Sequence, residues 1–141
     1  MISSELLRYL LRINRRRVRM MRQALLPHQY VGTMHLVMRY ISIYPGASQE
    51  EIAKHFALDK TSVARDARRL EDMGHIRREI DSANRRQYKL YLTQDGDAFL
   101  PTIDAAYDAF AQRLTEKMAP EKQEILIFLL KQLDNDTLDL A

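Results

Sequence analysis

The chain has 141 residues, 46% of them hydrophobic, with four glycines, four prolines and no cysteine. This suits one largely helical globular domain and excludes disulfides, thiolate metal sites and cysteine redox switches. The net charge of +3 is unevenly spread, with 18 basic against 9 acidic side chains in residues 1–94 and 4 against 10 in residues 95–141, so the charges either coat solvated helix faces or turn the first two thirds toward a polyanion.

Residues 4–25 read as an amphipathic helix. Leu6, Leu7, Leu10, Leu11, Val18, Met21 and Leu25 recur every three to four positions, and seven arginines fill much of the remainder. Such a helix lies on a membrane surface or packs its seam on a protein partner. Packing is favoured, because the chain beyond it looks like a folded domain. No apolar run is long enough for a signal peptide or a membrane span. A soluble, cytoplasmic protein without a membrane partner is expected.

Pro27 ends this segment or starts the next, and residues 28–44 read as a second helix with Val31, Met34, Val37, Met38 and Ile41 on one side. Pro45-Gly46 stops it. Ser48-Gln49-Glu50-Glu51 is a capping box that opens a short helix carrying Ile52, Ala53 and Phe56. After the turn Ala57-Leu58-Asp59, Asp59 is placed to cap a helix from Lys60 to Met73, with Val63, Ala67 and Leu70 inward and Gly74 as its stop.

Residues 75–80 and 87–93 alternate like strands. The polar run 81–86 between them makes a hairpin with a basic tip. Thr93 is placed to cap a long helix from about Gln94 to Met118, with Pro101 in its first turns, and Pro120 opens a last helix rich in leucine. The predicted fold is mainly α, with six helices and one hairpin after the fourth.

The chemistry concentrates in residues 48–93. Two capped helices around a three-residue turn form a helix-turn-helix, whose second helix lies in the DNA major groove. Lys60, Thr61, Ser62 and Arg65 face outward at its start, and Arg65 suits bidentate recognition of guanine. Gln49, Arg68 and Lys60 are placed for phosphates. The competing reading is a solvated polar face. The basic hairpin shifts the balance, because a wing-tip arginine (Arg85 or Arg86) suits the narrow minor groove next to the occupied major groove.

These residues resemble the MarR family of bacterial transcriptional regulators. The resemblance is carried by Ser48-x-x-Glu51-Ile52-Ala53 and by Lys60-x-x-Val63-x-Arg65-x-x-x-x-Leu70-x-x-x-Gly74-x-Ile76-x-Arg78. It continues through Asp81-x-x-Asn84-Arg85-Arg86 to Leu90-x-Leu92-Thr93-x-x-Gly96. It implies a winged helix-turn-helix homodimer on a near-palindromic operator of double-stranded DNA, within one domain spanning residues 1–141. The helices 4–25 and 120–140 would form an obligate-type dimer interface, and residues 48–93 the DNA-binding lobe. The resemblance also implies that Arg85 enters the minor groove, that Arg78 and Asp81 brace the wing, and that Arg86 braces it or touches phosphate. Many members carry Asp where this chain has Asn84, so one brace for a wing arginine is lost here.

Family members often bind small aromatic or lipophilic anions between the dimer helices and the DNA-binding lobe. In relatives that crevice is lined by the segments holding Asn14, Arg15, Met34, His35 and Met38. Among the four histidines, His28 and His35 are seven apart and could share a helix face, but no carboxylate cluster accompanies them. No metal and no cofactor are expected. Nor is an enzyme, since no phosphate-cradling glycine loop, zinc-ligand spacing or nucleophile motif occurs. The expected function is a sequence-specific regulator, a repressor released by a small effector. The alternative is a winged-helix protein-interaction module without ligand sensing.

Overall fold

The computed structural model describes residues 2–137 of the chain. In order the elements are α1 (Ile2–Leu25), a 3₁₀ turn (Leu26–His28), α2 (Met34–Ile43), α3 (Gln49–Phe56) and α4 (Lys60–Asp72). They continue with β1 (Ile76–Ile80), β2 (Tyr88–Leu92), α5 (Gln94–Thr115) and α6 (Pro120–Thr137). The six helices and the hairpin occur in the expected order. Positions 138–140, which the sequence reading placed in the last helix, lie outside the described residues. Among the described residues, no helix is long and apolar enough to cross a membrane. The chain divides at Tyr107/Asp108, inside α5, into two compact units.

In the first unit the core is built by α2, α3, α4 and the hairpin. Met34, Val37, Met38 and Ile41 of α2 are buried with Ile52, Val63, Ala67, Leu70, Ile76, Leu90 and Ile103. The strands pair antiparallel, from Ile76 opposite Leu92 to Ile80 opposite Tyr88. An unanticipated bridge joins Ala47 to Leu90, with Gly46 N donating to Leu90 O at 2.8 Å and Leu90 N to Ala47 O at 2.9 Å. It anchors the approach to α3 on the inner strand of the hairpin.

Helix boundaries follow local chemistry. The Ser48 hydroxyl accepts from the Glu51 amide at 3.1 Å, the first of the two bonds of the expected box. Asp59 sits at the N-cap of α4, but its side chain makes no capping bond. Gly74, at φ +79°, supplies the left-handed stop, with Gly74 N donating to Glu71 O and His75 N to Leu70 O. At the start of α5, Thr93 Oγ1 accepts from Gly96 N at 3.1 Å. The α5 helix runs through Pro101 and ends at Thr115, three residues before the expected end.

The second helix departs most from expectation. The sequence reading runs from 28 to 44, yet α2 begins only at Met34. Pro27 lies in the 3₁₀ turn, and Gln29 (φ 66°) and Gly32 (φ 56°) are left-handed, which breaks any helix through residues 29–33. Val31 is therefore exposed in a loop instead of on the buried side of the helix. His28 and His35 accordingly share no helix face.

In the second unit, Gln123 Nε2 donates to the carbonyls of Met118 (2.9 Å) and Thr115 (3.3 Å), satisfying acceptors left over at the end of α5. Ile125, Ile127, Phe128, Leu129, Leu130 and Leu133 of α6 are exposed. The first unit likewise exposes Leu6, Leu7, Leu10, Leu11 and Val18 on α1, where only Met21 and Leu25 are buried.

Candidate nucleic-acid interface

The turn between α3 and α4 is made by Ala57, left-handed at φ 53°, with Leu58 N donating to Ala53 O at 2.8 Å. Helix α4 then buries Val63, Asp66, Ala67 and Leu70. That phase leaves Lys60, Thr61, Arg65 and Arg68 exposed and Ser62 half-buried. Arg69, which the sequence reading did not single out, is exposed as well. Gln49 opens α3 and is half-buried.

The wing continues from α4. Arg78 is held on two sides: its Nε lies 3.3 Å from Glu71 Oε2 as an ion pair, and its guanidinium lies 5.6 Å from the centroid of the Tyr88 ring. The carboxylate of Asp81 accepts from Ala83 N at 2.9 Å, and its main chain bonds Gln87 and Asn84, which closes the tip. Asn84 Oδ1 accepts from Arg86 N at 3.2 Å, so the amide orders the turn through the backbone and not through an arginine side chain. Arg85 and Arg86 are exposed at the tip.

Glu50 ties these elements together. Its carboxylate accepts from Lys60 Nζ at 2.8 Å and from Gln87 Nε2 at 2.7 Å. The start of α4 and the loop at the tip of the wing thus lie within hydrogen-bond reach of one side chain of α3. The bond from Lys60 and its charge lower the pKa of Glu50, and the same pairing raises that of Lys60. A cleft of about 240 Å³ opens here between Ser48, Gln49, Lys60, Arg86 and Tyr88.

Behind the interface lie two further polar links. Asp66, buried on α4, accepts from Thr33 Oγ1 at 2.5 Å, and burial raises its pKa against the pull of that bond and of Arg65 and Arg69. Tyr30 OH pairs with His75 Nδ1 at 2.5 Å at the root of the wing, and both rings stack with Phe99. Thr33 and Tyr30 belong to the irregular loop after the 3₁₀ turn. That loop also walls a cavity of about 380 Å³ with Val18, Met21, Leu25 and Leu26, edged by Arg17 and Arg22.

Of the five residues expected to line a ligand crevice, only His35 borders this cavity. Met34 and Met38 are core residues at 1% and 0% exposure, while Asn14 and Arg15 are exposed on α1, with Asn14 accepting from Arg17 Nε at 3.1 Å. His35 pairs with Tyr107 OH at 2.7 Å. Burial, and then the charge of Arg17, pushes its pKa down to about 4, so it is neutral near pH 7. His55 stacks on Tyr40 and Phe56. Among the described residues, no group of three or more His, Cys, Asp or Glu is placed to hold a metal.

Residues 33–88, which hold the helix-turn-helix and most of the wing, match the family model described as MarR family. Over this stretch the chain is similar to the MarR family. The transcriptional regulator HosA of Escherichia coli O157:H7 is 28% identical over 101 residues, covering 72% of this chain and 75% of HosA. A crystal structure of MarR superposes with a TM-score of 0.81 at 28% identity, over 91% of this chain and 93% of that one. CouR from Rhodococcus jostii RHA1, bound to p-coumaroyl-CoA, shares the fold with a TM-score of 0.81 at 19% identity, over 97% and 96% of the two chains.

The protein is thus a transcriptional regulator whose winged-helix fold is similar to that of MarR. The sequence reading missed Glu50, Asp66, Thr33 and Tyr30. Asp66 carried a signal, since it lies three residues after Val63 and four before Leu70, on the buried side of α4. Glu50 carried none, because its two partners are 10 and 37 residues away.

Proposed function

We propose that the protein is a MarR-family regulator that works in the cytoplasm as a homodimer on a near-palindromic operator, represses from it, and is released by a small aromatic or lipophilic anion. Thr61, Ser62 and Arg65 read base edges in the major groove, while Lys60, Gln49 and Arg68 hold phosphates. Arg85 enters the minor groove, with Arg86 at phosphate and Arg78 and Asp81 holding the wing. The observation that carries this reading is the junction at Glu50, which brings the exposed start of α4 and the tip loop of the basic wing together on one unit.

The apolar faces of α1 and α6 support the homodimer. Each is a run of exposed large side chains of a kind that marks an interaction surface. The cavity supports the effector. Its volume of about 380 Å³ is in the range of small-molecule sites. Val18, Met21, Leu25 and Leu26 suit an apolar body, and Arg17 or Arg22 an anionic group. Because Thr33 and Tyr30 both wall the cavity and bond the DNA-reading elements, an occupant that displaces them loosens α4 and the wing root.

Selection from random duplexes with the purified protein tests this, with a salt titration of the winners and a panel of phenolic acids. The expected result is an inverted-repeat sequence, a steep salt dependence and release by at least one acid. A protein that retains no duplex even at low salt is not a DNA-binding regulator, and the protein-interaction reading takes its place.

A further inference from the structure

We propose that Glu50 is a built-in stand-in for a DNA phosphate, which withholds Lys60 from random DNA and so sharpens the preference for the operator. This rests on the DNA-binding reading above and concerns the same face.

Glu50 lies in the first turn of α3, where the helix dipole favours an anion. Its neighbours are the ones a phosphate would seek: the ammonium of Lys60 at 2.8 Å and the side-chain amide of Gln87 at 2.7 Å. Arg86 and Ser48 line the same cleft. A carboxylate there fills a cradle of donors with an acceptor of matching charge and similar size. Its low pKa, caused first by the bond from Lys60, keeps it ionised.

The pair is exposed, at 77% for the Lys60 side chain and 54% for that of Glu50, so it is screened and exchangeable. Lys60 has donors to spare, but a phosphate set beside the Glu50 carboxylate is repelled by it, so the phosphate takes Lys60 by displacing Glu50. Random DNA offers phosphates and little else, so it bears this cost without compensation. An operator adds base contacts from the same helix and meets the cost from them. Glu50 also bonds Gln87 in the tip loop of the wing, so exchange at Lys60 frees Gln87 to follow the DNA.

The test is a two-by-two set: wild type, Glu50→Gln, Lys60→Ala and the double variant, each titrated with operator and with random duplex over a range of salt. The three variants are surface changes, and thermal melting checks that they fold. Glu50→Gln should tighten random-duplex binding by roughly two- to fivefold, the size of one exposed ion pair. It should steepen the salt slope by about 0.9, the share of one phosphate contact, and change operator binding less. In the Lys60→Ala background the same change should do nothing. Equal tightening with and without Lys60 would mean a diffuse charge effect and overturns the proposal, as does unchanged or weaker binding of Glu50→Gln. Wild-type protein that binds no duplex sinks the parent reading instead, a separate outcome.

Discussion

Arg65 and Arg85 are both exposed cations, yet their settings assign them different work. Arg65 projects from the second turn of α4, next to buried Asp66, whose carboxylate is held by Thr33. A guanidinium on so fixed a base suits paired hydrogen bonds to one guanine. Arg65→Ala should therefore cost about 1–3 kcal/mol of discrimination between operators, measured as the ratio of affinities for matched and mismatched duplexes. Arg85 sits on a turn closed by Asp81 and Asn84. Arg85→Ala should weaken binding to all sequences and lower the salt slope by about 1, with the melting temperature unchanged. Unaltered affinity in that variant would mean the wing stays off DNA. A different residue sets the acid response. His35 titrates near 4 in the folded protein against 6.5 for the free side chain. Between those values the unfolded chain binds a proton that the folded one refuses, so stability is full above about pH 6.5 and falls on acidification. A shift of this size is worth about 3 kcal/mol. His75, also lowered by burial, adds in the same direction, and Asp66, raised by burial, opposes it. Thermal unfolding between pH 7 and pH 4 should show the loss, and His35→Gln should flatten it. An equal slope in that variant would remove His35 as the cause. The acid response was only partly legible: the sequence reading placed His35 at a crevice without its burial against Tyr107, and it passed over Asp66, whose place on the inner side of α4 its spacing did carry.

At the scale of elements, most boundaries were legible because a single side chain writes them. Ser48, Gly74, Thr93 and Pro120 each act within one turn of chain, and each marks the end it was expected to mark. The loop of residues 29–33 was not legible. Its shape needs a left-handed Gln29, a conformation that no local signal announces, and it is held by partners at positions 66 and 75. The 28–44 helix was expected because the apolar spacing of Val31 continues that of α2, and periodicity says nothing of where a helix begins. The joint between wing and α5 shows how tightly elements can be bound by small groups. Thr93 N donates to His75 O at 3.0 Å and Thr93 Oγ1 to Gly74 O at 2.5 Å, so the end of β2 is tied to the start of β1. Gly96 lies against the same His75 carbonyl, where an added Cβ would collide with backbone. Gly96→Ala should destabilise the fold by about 1–3 kcal/mol, through overpacking that no side-chain rotation relieves. Urea unfolding measures it. A neutral result would mean that β1 and α5 can shift apart.

For the whole molecule, the charge split and the exposed apolar helix faces bear on how copies combine. On the proposed function, sedimentation at micromolar concentration should give a dimer, and Leu10→Glu on the exposed seam of α1 should shift it toward monomer and weaken operator binding. A wild-type monomer would contradict the terminal-helix interface. The acidic final third then needs no contact with DNA, and the basic first two thirds carry it. The loop that walls the cavity gives this arrangement a further property. Thr33 and Tyr30 cannot at once keep their bonds to Asp66 and His75 and give way to a guest. Linkage then runs both ways: whatever factor a guest takes from the affinity for operator, the operator takes from the affinity for the guest. A cell rich in vacant operators would make the same compound look weaker than it does in a tube of pure protein.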